Sequence, residues 1–252
     1  CAKYLTDWGF ARCTGEGGGI EFETMEKTRV ILRPADDASL PRVNHHSPFF
    51  SGSCGREVIW GVDNTATLKA LAADLARDRE VREDGESSLH TTDASGNPIG
   101  FCVTCRVPVV EAPLEFNRVG APVRINRPAI AADKQMRAHP IRINHVVYMM
   151  RDAEEARATC RFYLERLGFK LSDNVGGQGF FMRAGASHDH HNLLVEALAP
   201  GHWGLQHSAY EFRDFDHIMH RGRYLESQGW ESHNGPGRHT VGSNLTWYFW
   251  TP

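Results

Sequence analysis

The residues with the clearest chemical potential in this chain are histidines, and they are concentrated in its second half. Of the 14 histidines in 252 residues, all lie beyond residue 138 except His45, His46 and His90. Neutral imidazole is the commonest side-chain metal ligand, and its pKa of about 6.5 suits proton transfer near neutral pH. The histidines therefore indicate metal binding, acid–base chemistry or both.

Two of these histidines, His145 and His207, lie in segments where apolar residues alternate as they do in a β-strand. A His190-His191 pair precedes a short apolar run, and a segment Gly237-Arg238-His239-Thr240 is followed by Tyr248 nine residues after its histidine. Taken singly, each has a structural alternative. A strand histidine is more often structural than a ligand, and a tyrosine flanked by aromatic residues is more often core.

The predicted helices and strands that position these histidines are repeated in the two halves of the sequence. The segment Tyr4–Phe10 returns as Tyr163–Phe169, and only the second copy is surrounded by histidines. In the second half, a strand around His145 precedes a helix capped by Asp152 and ended by Gly168, and further strands follow. Both halves predict two modules of a strand, a helix and several strands.

Composition and charge limit the function classes. Hydrophobic residues make up 41% and charged residues 23% of the chain, and the formal net charge is −3. These values are typical of a globular protein and favour a small-molecule partner over nucleic acid or a membrane. The printed sequence has neither an apolar run of about 20 residues nor signal-peptide features, and its six cysteines show no framework spacing, which predicts a cytoplasmic protein.

The repeat and a proline-rich stretch predict the domain organisation. Five prolines occur from Pro108 to Pro140, with little periodicity of either kind. We expect an N-terminal domain over residues 1–107, a connector over 108–139 and a C-terminal catalytic domain over 140–252.

Two such modules in each half, with histidines on the first strand of each module of the second half, resemble the vicinal oxygen chelate superfamily, and more closely the type I extradiol (catechol meta-cleaving) dioxygenases. The resemblance covers nearly the whole chain. It implies an α+β fold in which paired βαβββ modules form a cup-like, mostly antiparallel sheet. It also implies a metal held by two histidines and one glutamate in the second domain, the first domain being a metal-free copy.

The resemblance assigns site residues one at a time. The family's metal histidines fall on His145 and His207, and its third ligand, a glutamate, falls about position 258, beyond the printed sequence. We therefore expect the natural protein to extend past residue 252, and also before residue 1, where the first module lacks its opening strand. In the first half, Glu57 falls at the second metal position and Gly100 at the third.

The remaining matches concern catalysis. The resemblance makes His191 the acid–base residue, and His239 and Tyr248 hydrogen-bonding partners of the substrate oxygens. It implies Fe(II), with Mn(II) as the other acceptable ion, no organic cofactor, an aromatic diol and O₂ as substrates, a muconic semialdehyde-type product and a homo-oligomer. Where many relatives continue the Gly-Arg-His-Thr segment with Asn-Asp, this chain has Val241-Gly242. His188 and His190 are predicted to be solvated loop residues.

Two other functions remain open from the sequence. One is a different metal enzyme of the superfamily, such as a glyoxalase-like lyase or a keto-acid dioxygenase. The other is a non-enzymatic binding protein of the same fold that holds a small molecule without a metal. Metal content separates an enzyme from such a binder.

Overall fold

The computed structural model describes residues 1–13, 19–48, 52–85, 87–104, 106–110, 119–122 and 138–252. The helices in these ranges are α1 (Ala2–Asp7), α2 (Thr65–Leu75), α3 (Ala153–Arg166) and α4 (Phe215–Ser227). The strands are β1 (Ala11–Cys13), β2 (Ile20–Glu23), β3 (Arg29–Leu32), β4 (Val58–Val62), β5 (Arg82–Asp84), β6 (Ser88–Thr92), β7 (Pro98–Val103), β8 (Arg142–Met149), β9 (Lys170–Val175), β10 (Gly179–Arg183), β11 (Leu193–Glu196), β12 (Gly204–Glu211), β13 (Ser232–Arg238) and β14 (Leu245–Phe249). Most of the predicted connector lies outside the described residues.

The order of elements confirms the predicted α+β fold built from βαβββ modules. Two modules are complete in the described residues, β4-α2-β5-β6-β7 and β8-α3-β9-β10-β11. Their sheets have the same order, β4-β7-β6-β5 and β8-β11-β10-β9, and β12 is added beside β8. In each module the first strand runs parallel to the last, and the other pairings are antiparallel. The crossover helix is what allows that one parallel pair.

Three helices begin where the sequence supplies a capping side chain. Asn64, Asp152 and Asp214 stand immediately before α2, α3 and α4, and a side-chain oxygen of each accepts a hydrogen bond from a backbone N–H of the first turn. Such a cap contributes about 1 kcal/mol. Beyond α3, Gly168 adopts a φ of +69°, which ends the helix at little steric cost.

The chain divides into two compact units, which are described separately. The first comprises Cys1–Arg33, Arg106–Ile143 and Tyr210–Pro252, and the second comprises Pro34–Cys105 and Asn144–Ala209. These units group residues differently from the domains expected from the sequence, whose boundaries stay a prediction.

The second unit contains both complete modules, except for the first two residues of β8, and a continuous apolar core. Tyr163 of α3 is fully buried, and its ring meets those of Trp60 and Phe169 edge to face at centroid distances of 6.3 and 5.2 Å. Aromatic pairs in this geometry add to the free energy gained by burial alone. Other residues of this core with at most 1% of their surface exposed are Leu75, Leu89, Ile99, Ala156, Met182, Leu193 and Val195.

The first unit has a smaller core, formed by Leu5, Phe10 and Phe22. Its buried Arg221, on α4, donates hydrogen bonds to the backbone carbonyl oxygens of Asp7 and Ala138. A buried guanidinium is costly unless its donors are satisfied, so these bonds fix α4 against the end of α1. Within the described residues of both units, no helix combines the length and apolarity that crossing a membrane requires.

A buried carboxylate organises the turn between β6 and β7. One oxygen of Asp93 accepts hydrogen bonds from the backbone N–H groups of Ser95 and Asn97, and the other accepts one from the Asn97 side chain. The Asp93 side chain is almost completely buried, and this burial raises its pKa to about 6, opposed by the hydrogen bonds from Asn97 and Ser95. Folding therefore favours its neutral form relative to the unfolded chain.

We expect Asp93→Asn to change how stability depends on pH. The folded pKa lies above the unfolded value of about 3.9, so this stabilising contribution is fully present below about pH 4 and is lost as pH rises through 6. The loss amounts to about 3 kcal/mol, and the variant should lack it. Urea unfolding of both proteins at pH 4, 5, 6 and 7 measures the difference, and parallel curves would contradict the assignment.

Candidate active site

Three predicted histidines come together in the second unit because their strands are neighbours. His145 lies on β8, His207 lies on the adjacent β12, and His191 lies two residues before β11, which pairs with β8 on its other side. The ring centroid of His145 is 4.3 Å from that of His191 and 5.6 Å from that of His207. His145 and His191 are both only 7% exposed.

Each predicted metal ligand forms a hydrogen bond with the side chain of the residue that precedes it in the sequence. Nδ1 of His145 lies 2.8 Å from the amide oxygen of Asn144, and Nδ1 of His207 is hydrogen-bonded to the amide oxygen of Gln206. An amide oxygen only accepts, so with the amides placed this way Nδ1 carries the proton in both rings. Nε2 then keeps its lone pair, as metal ligation requires, and Nε2 of His207 is buried.

The separation of these two rings suits a shared metal ion. A metal about 2.1 Å from an imidazole nitrogen lies roughly 3.2 Å from the ring centre, so two rings on one ion have centres up to about 6.4 Å apart. The observed 5.6 Å lies within this limit. Two neutral nitrogen donors also suit Fe(II) or Mn(II). His145 and His207 are therefore close enough, and of a suitable donor type, to bind one divalent cation together.

A complete three-residue metal cluster is not found among the described residues, in which no group of three or more His, Cys, Asp or Glu side chains could hold an ion. The glutamate expected about position 258 stays a prediction. Glu211, on the same strand as His207, forms an ion pair with Arg142 at 2.5 Å, so its carboxylate is already engaged.

His191 is held by residues on two sides. The ring of Phe181 meets it edge to face at 5.0 Å, and its Nδ1 lies 3.0 Å from Nδ1 of His190. The sequence predicts His190 to be a solvated loop residue, but its side chain is only 27% exposed and its Nε2 lies 2.7 Å from a carboxylate oxygen of Asp173. His190 and Asp173 are therefore linked to His191 by hydrogen bonds, which the sequence analysis did not predict.

His239 and Tyr248 meet in the first unit. Strands β13 and β14 form a hairpin in which Arg238 pairs with Leu245, and this brings Nε2 of His239 to 2.7 Å from the Tyr248 hydroxyl. The nine-residue spacing noted in the sequence is thus the spacing of a hairpin contact. Val241 and Gly242 lie at its tip, where Gly242 has a φ of +77°.

The corresponding positions of the first half have a different arrangement. The carboxylate of Glu57, the counterpart of His207, is 2.8 Å from Nδ1 of His90. At Gly100, the counterpart of the third ligand, an added Cβ would lie 3.2 Å from that same carboxylate and 3.0 Å from the Leu89 carbonyl oxygen. A longer side chain at Gly100 would therefore force its neighbours to move.

Comparisons with known proteins agree with the fold predicted from the sequence. Residues 142–248 match the family described as Glyoxalase/Bleomycin resistance protein/Dioxygenase superfamily. Metapyrocatechase 2 of Cupriavidus necator is 29% identical over 187 residues, which are 73% of this chain and 55% of that protein. The chain thus spans about half the length of this curated relative.

Two solved structures show the same fold. The 2,3-dioxygenase LapB from Pseudomonas sp. KL28 gives a TM-score of 0.67 at 21% identity, covering 97% of this chain and 81% of that one. The Mn(II)-bound glyoxalase from Novosphingobium aromaticivorans gives a TM-score of 0.66 at 19% identity, covering 100% and 73%. The chain therefore has the vicinal oxygen chelate fold predicted from its sequence, and residues 142–248, less than half of the chain, match the glyoxalase, bleomycin resistance protein and dioxygenase superfamily.

Proposed function

We propose that this protein is an extradiol dioxygenase, which uses O₂ to open the ring of a catechol-type diol and forms a muconic semialdehyde-type product. The observation that carries the proposal is the convergence of His145, His191 and His207 in one unit, with Nδ1 of both proposed ligands held by an amide oxygen. The names of the relatives, a metapyrocatechase and a 2,3-dioxygenase, support it.

The metal in this proposal is a divalent cation held by His145 and His207, and we propose Fe(II), with Mn(II) as the alternative. When bound, the cation supplies a Lewis acid that lowers the pKa of a coordinated hydroxyl and brings the diol and O₂ together. The chain's part is to fix both imidazoles with Nε2 unprotonated, which the Asn144 and Gln206 side chains achieve.

His191 is proposed as the acid–base residue. With Nδ1 engaged by His190, its Nε2 is the nitrogen that accepts a proton from a diol hydroxyl and later returns it. The reaction breaks the ring carbon–carbon bond beside the diol and places both atoms of O₂ in the product. It balances without an external reductant, which agrees with the absence of an organic cofactor from the proposal.

His239 and Tyr248 are proposed to hydrogen-bond to the substrate oxygens. In their 2.7 Å contact one group donates a hydrogen bond to the other, and the accepting group keeps its own N–H or O–H for a hydrogen bond to the substrate. The homo-oligomer expected from the family also belongs to this proposal, and the molecular mass in solution tests it.

A glyoxalase-like activity is the second candidate, because a Mn(II)-bound glyoxalase shares the fold. The two functions differ in their oxygen requirement. Ring cleavage consumes one O₂ per diol and gives a coloured product, whereas a glyoxalase-type isomerisation proceeds without O₂. An assay with a catechol under air and under nitrogen distinguishes them, and tight binding of the aromatic compound without metal would favour a binding protein.

We expect His145→Ala and His207→Ala each to abolish stoichiometric metal binding, because each removes a nitrogen donor. Turnover measured with added Fe(II) should fall by on the order of 100-fold or more, beyond the 10- to 100-fold typical of residues that merely support a ligand. Metal analysis and O₂ uptake are the measurements. His188→Ala, an exposed position of the same unit, is the matched control; normal metal content in either ligand variant would refute the metal assignment.

We expect His191→Ala to lower the rate of ring opening without changing the metal content. Removing a positioned acid–base group lowers kcat by about 10² to 10⁴. Metal content should stay at the wild-type level, because the variant retains both His145 and His207. Single-turnover rates of ring opening together with metal analysis provide the check, and an unchanged rate would remove His191 from the mechanism.

A further inference from the structure

Two residues outside the predicted site form a chain of hydrogen bonds that ends on His191. Asp173 lies on β9, the edge strand of the five-stranded sheet, and one of its carboxylate oxygens is 2.7 Å from Nε2 of His190. Nδ1 of His190 is 3.0 Å from Nδ1 of His191. All three residues belong to the second unit.

The direction of each hydrogen bond follows from the carboxylate of Asp173, at which this series of hydrogen bonds begins. An ionised carboxylate only accepts, so Nε2 of His190 donates to Asp173. A neutral His190 then has an unprotonated Nδ1, which accepts from Nδ1–H of His191. His191 then carries its proton on Nδ1, and its Nε2 is the unprotonated nitrogen.

Packing alone does not select this tautomer. The His191 ring is confined by the edge-to-face contact with Phe181 at 5.0 Å and by the His145 ring at 4.3 Å. The two neutral tautomers have the same shape, so these contacts accept both. A hydrogen bond donated by Nδ1 requires the proton on that nitrogen and so favours one tautomer over the other.

The loop that carries these histidines has other anchors. The Asn192 side chain donates to the Asn144 carbonyl oxygen at 3.0 Å and to the Asp189 carboxylate at 2.8 Å, and Arg183 donates to the Ser187 carbonyl oxygen. The Asp173 side chain is 53% exposed, and an exposed pair of this kind contributes little to stability. The loop conformation thus does not depend on the pair formed by Asp173 and His190.

We infer that Asp173 and His190 are positioning residues that hold His191 in the Nδ1–H tautomer, so that Nε2 is the nitrogen that accepts a proton from the substrate. The inference rests on the proposed function for the role of His191, while the tautomer itself is a property of the protein alone. Neither residue needs to touch the substrate.

The decisive test is the tautomer of His191 in the full-length protein, free of paramagnetic ions and at pH 8, where ordinary imidazoles are neutral. Long-range nitrogen–proton NMR spectra of histidine-labelled protein identify the protonated nitrogen. We expect Nδ1–H in the wild type and in His190→Asn, whose amide oxygen can accept in place of Nδ1. In His190→Leu we expect the Nε2–H form to appear.

Two variants of Asp173 serve as controls for a folding defect in His190→Leu. Asp173→Leu, at a half-exposed position, should shift the tautomer in the same direction as His190→Leu, whereas Asp173→Asn keeps an acceptor and should retain the wild-type form. His188→Leu, in the same loop and exposed, is the control and should match the wild type. An unchanged Nδ1–H signal in both leucine variants would overturn the inference.

The kinetic consequence is measured separately on the Fe(II)-loaded protein. We expect kcat for ring opening to fall about tenfold in both leucine variants, with KM for the diol unchanged and with recovery in His190→Asn. Failure of the wild type to open any diol would count against the proposed function, and the tautomer spectra would still decide the inference. A shifted tautomer with an undiminished kcat would overturn the positioning role.

Discussion

The interaction on which the site depends is the parallel pairing of β8 with β11. Its register places Val146 opposite Leu193, and the Val146 N–H donates to the Asn192 carbonyl oxygen, so the segment that carries His191 meets β8 at the end where His145 lies. His145 and His191 are therefore neighbours although 46 positions separate them in the chain, and β12 adds His207 from the other side of β8. A shift of one residue in this register would turn the side chains of β11 to the opposite face of the sheet and move the segment that precedes it along β8.

Much of this arrangement could be predicted from the sequence because the signals are local. Alternation around His145 indicates a strand, Asp152 and Gly168 mark the ends of α3, and the resemblance supplies the pairing of distant strands. The contact of His190 with Asp173 could not be predicted. It depends on the pairing of β9 with β10, where Phe181 opposes Asp173 and the register shifts at the next residue. Such an irregularity redirects side chains without an obvious sequence signal.

The two complete modules show how one backbone carries different chemistry. Each has the same strand order and the same parallel pair, and each begins its helix after an Asn or Asp cap. The difference lies in a few side chains. Glu57, beside the first strand of one module, pairs with His90, whereas His145, on the first strand of the other module, lies against His207 of β12. The apolar core thus specifies the fold, and the residues at equivalent strand positions are free to specify the reaction.

The hydrogen bonds that Asn144 and Gln206 make to the histidines following them have an evolutionary consequence. In each case the donor ring and the group that orients it are consecutive in the chain, so a correctly oriented ligand is encoded by two adjacent codons. A duplicated module could gain or lose such a ligand through changes confined to one dipeptide, with no compensating change elsewhere in the sheet. The corresponding dipeptide of the first half is Arg56-Glu57. Divergence between ancestral copies of this fold is therefore accessible in very few mutational steps.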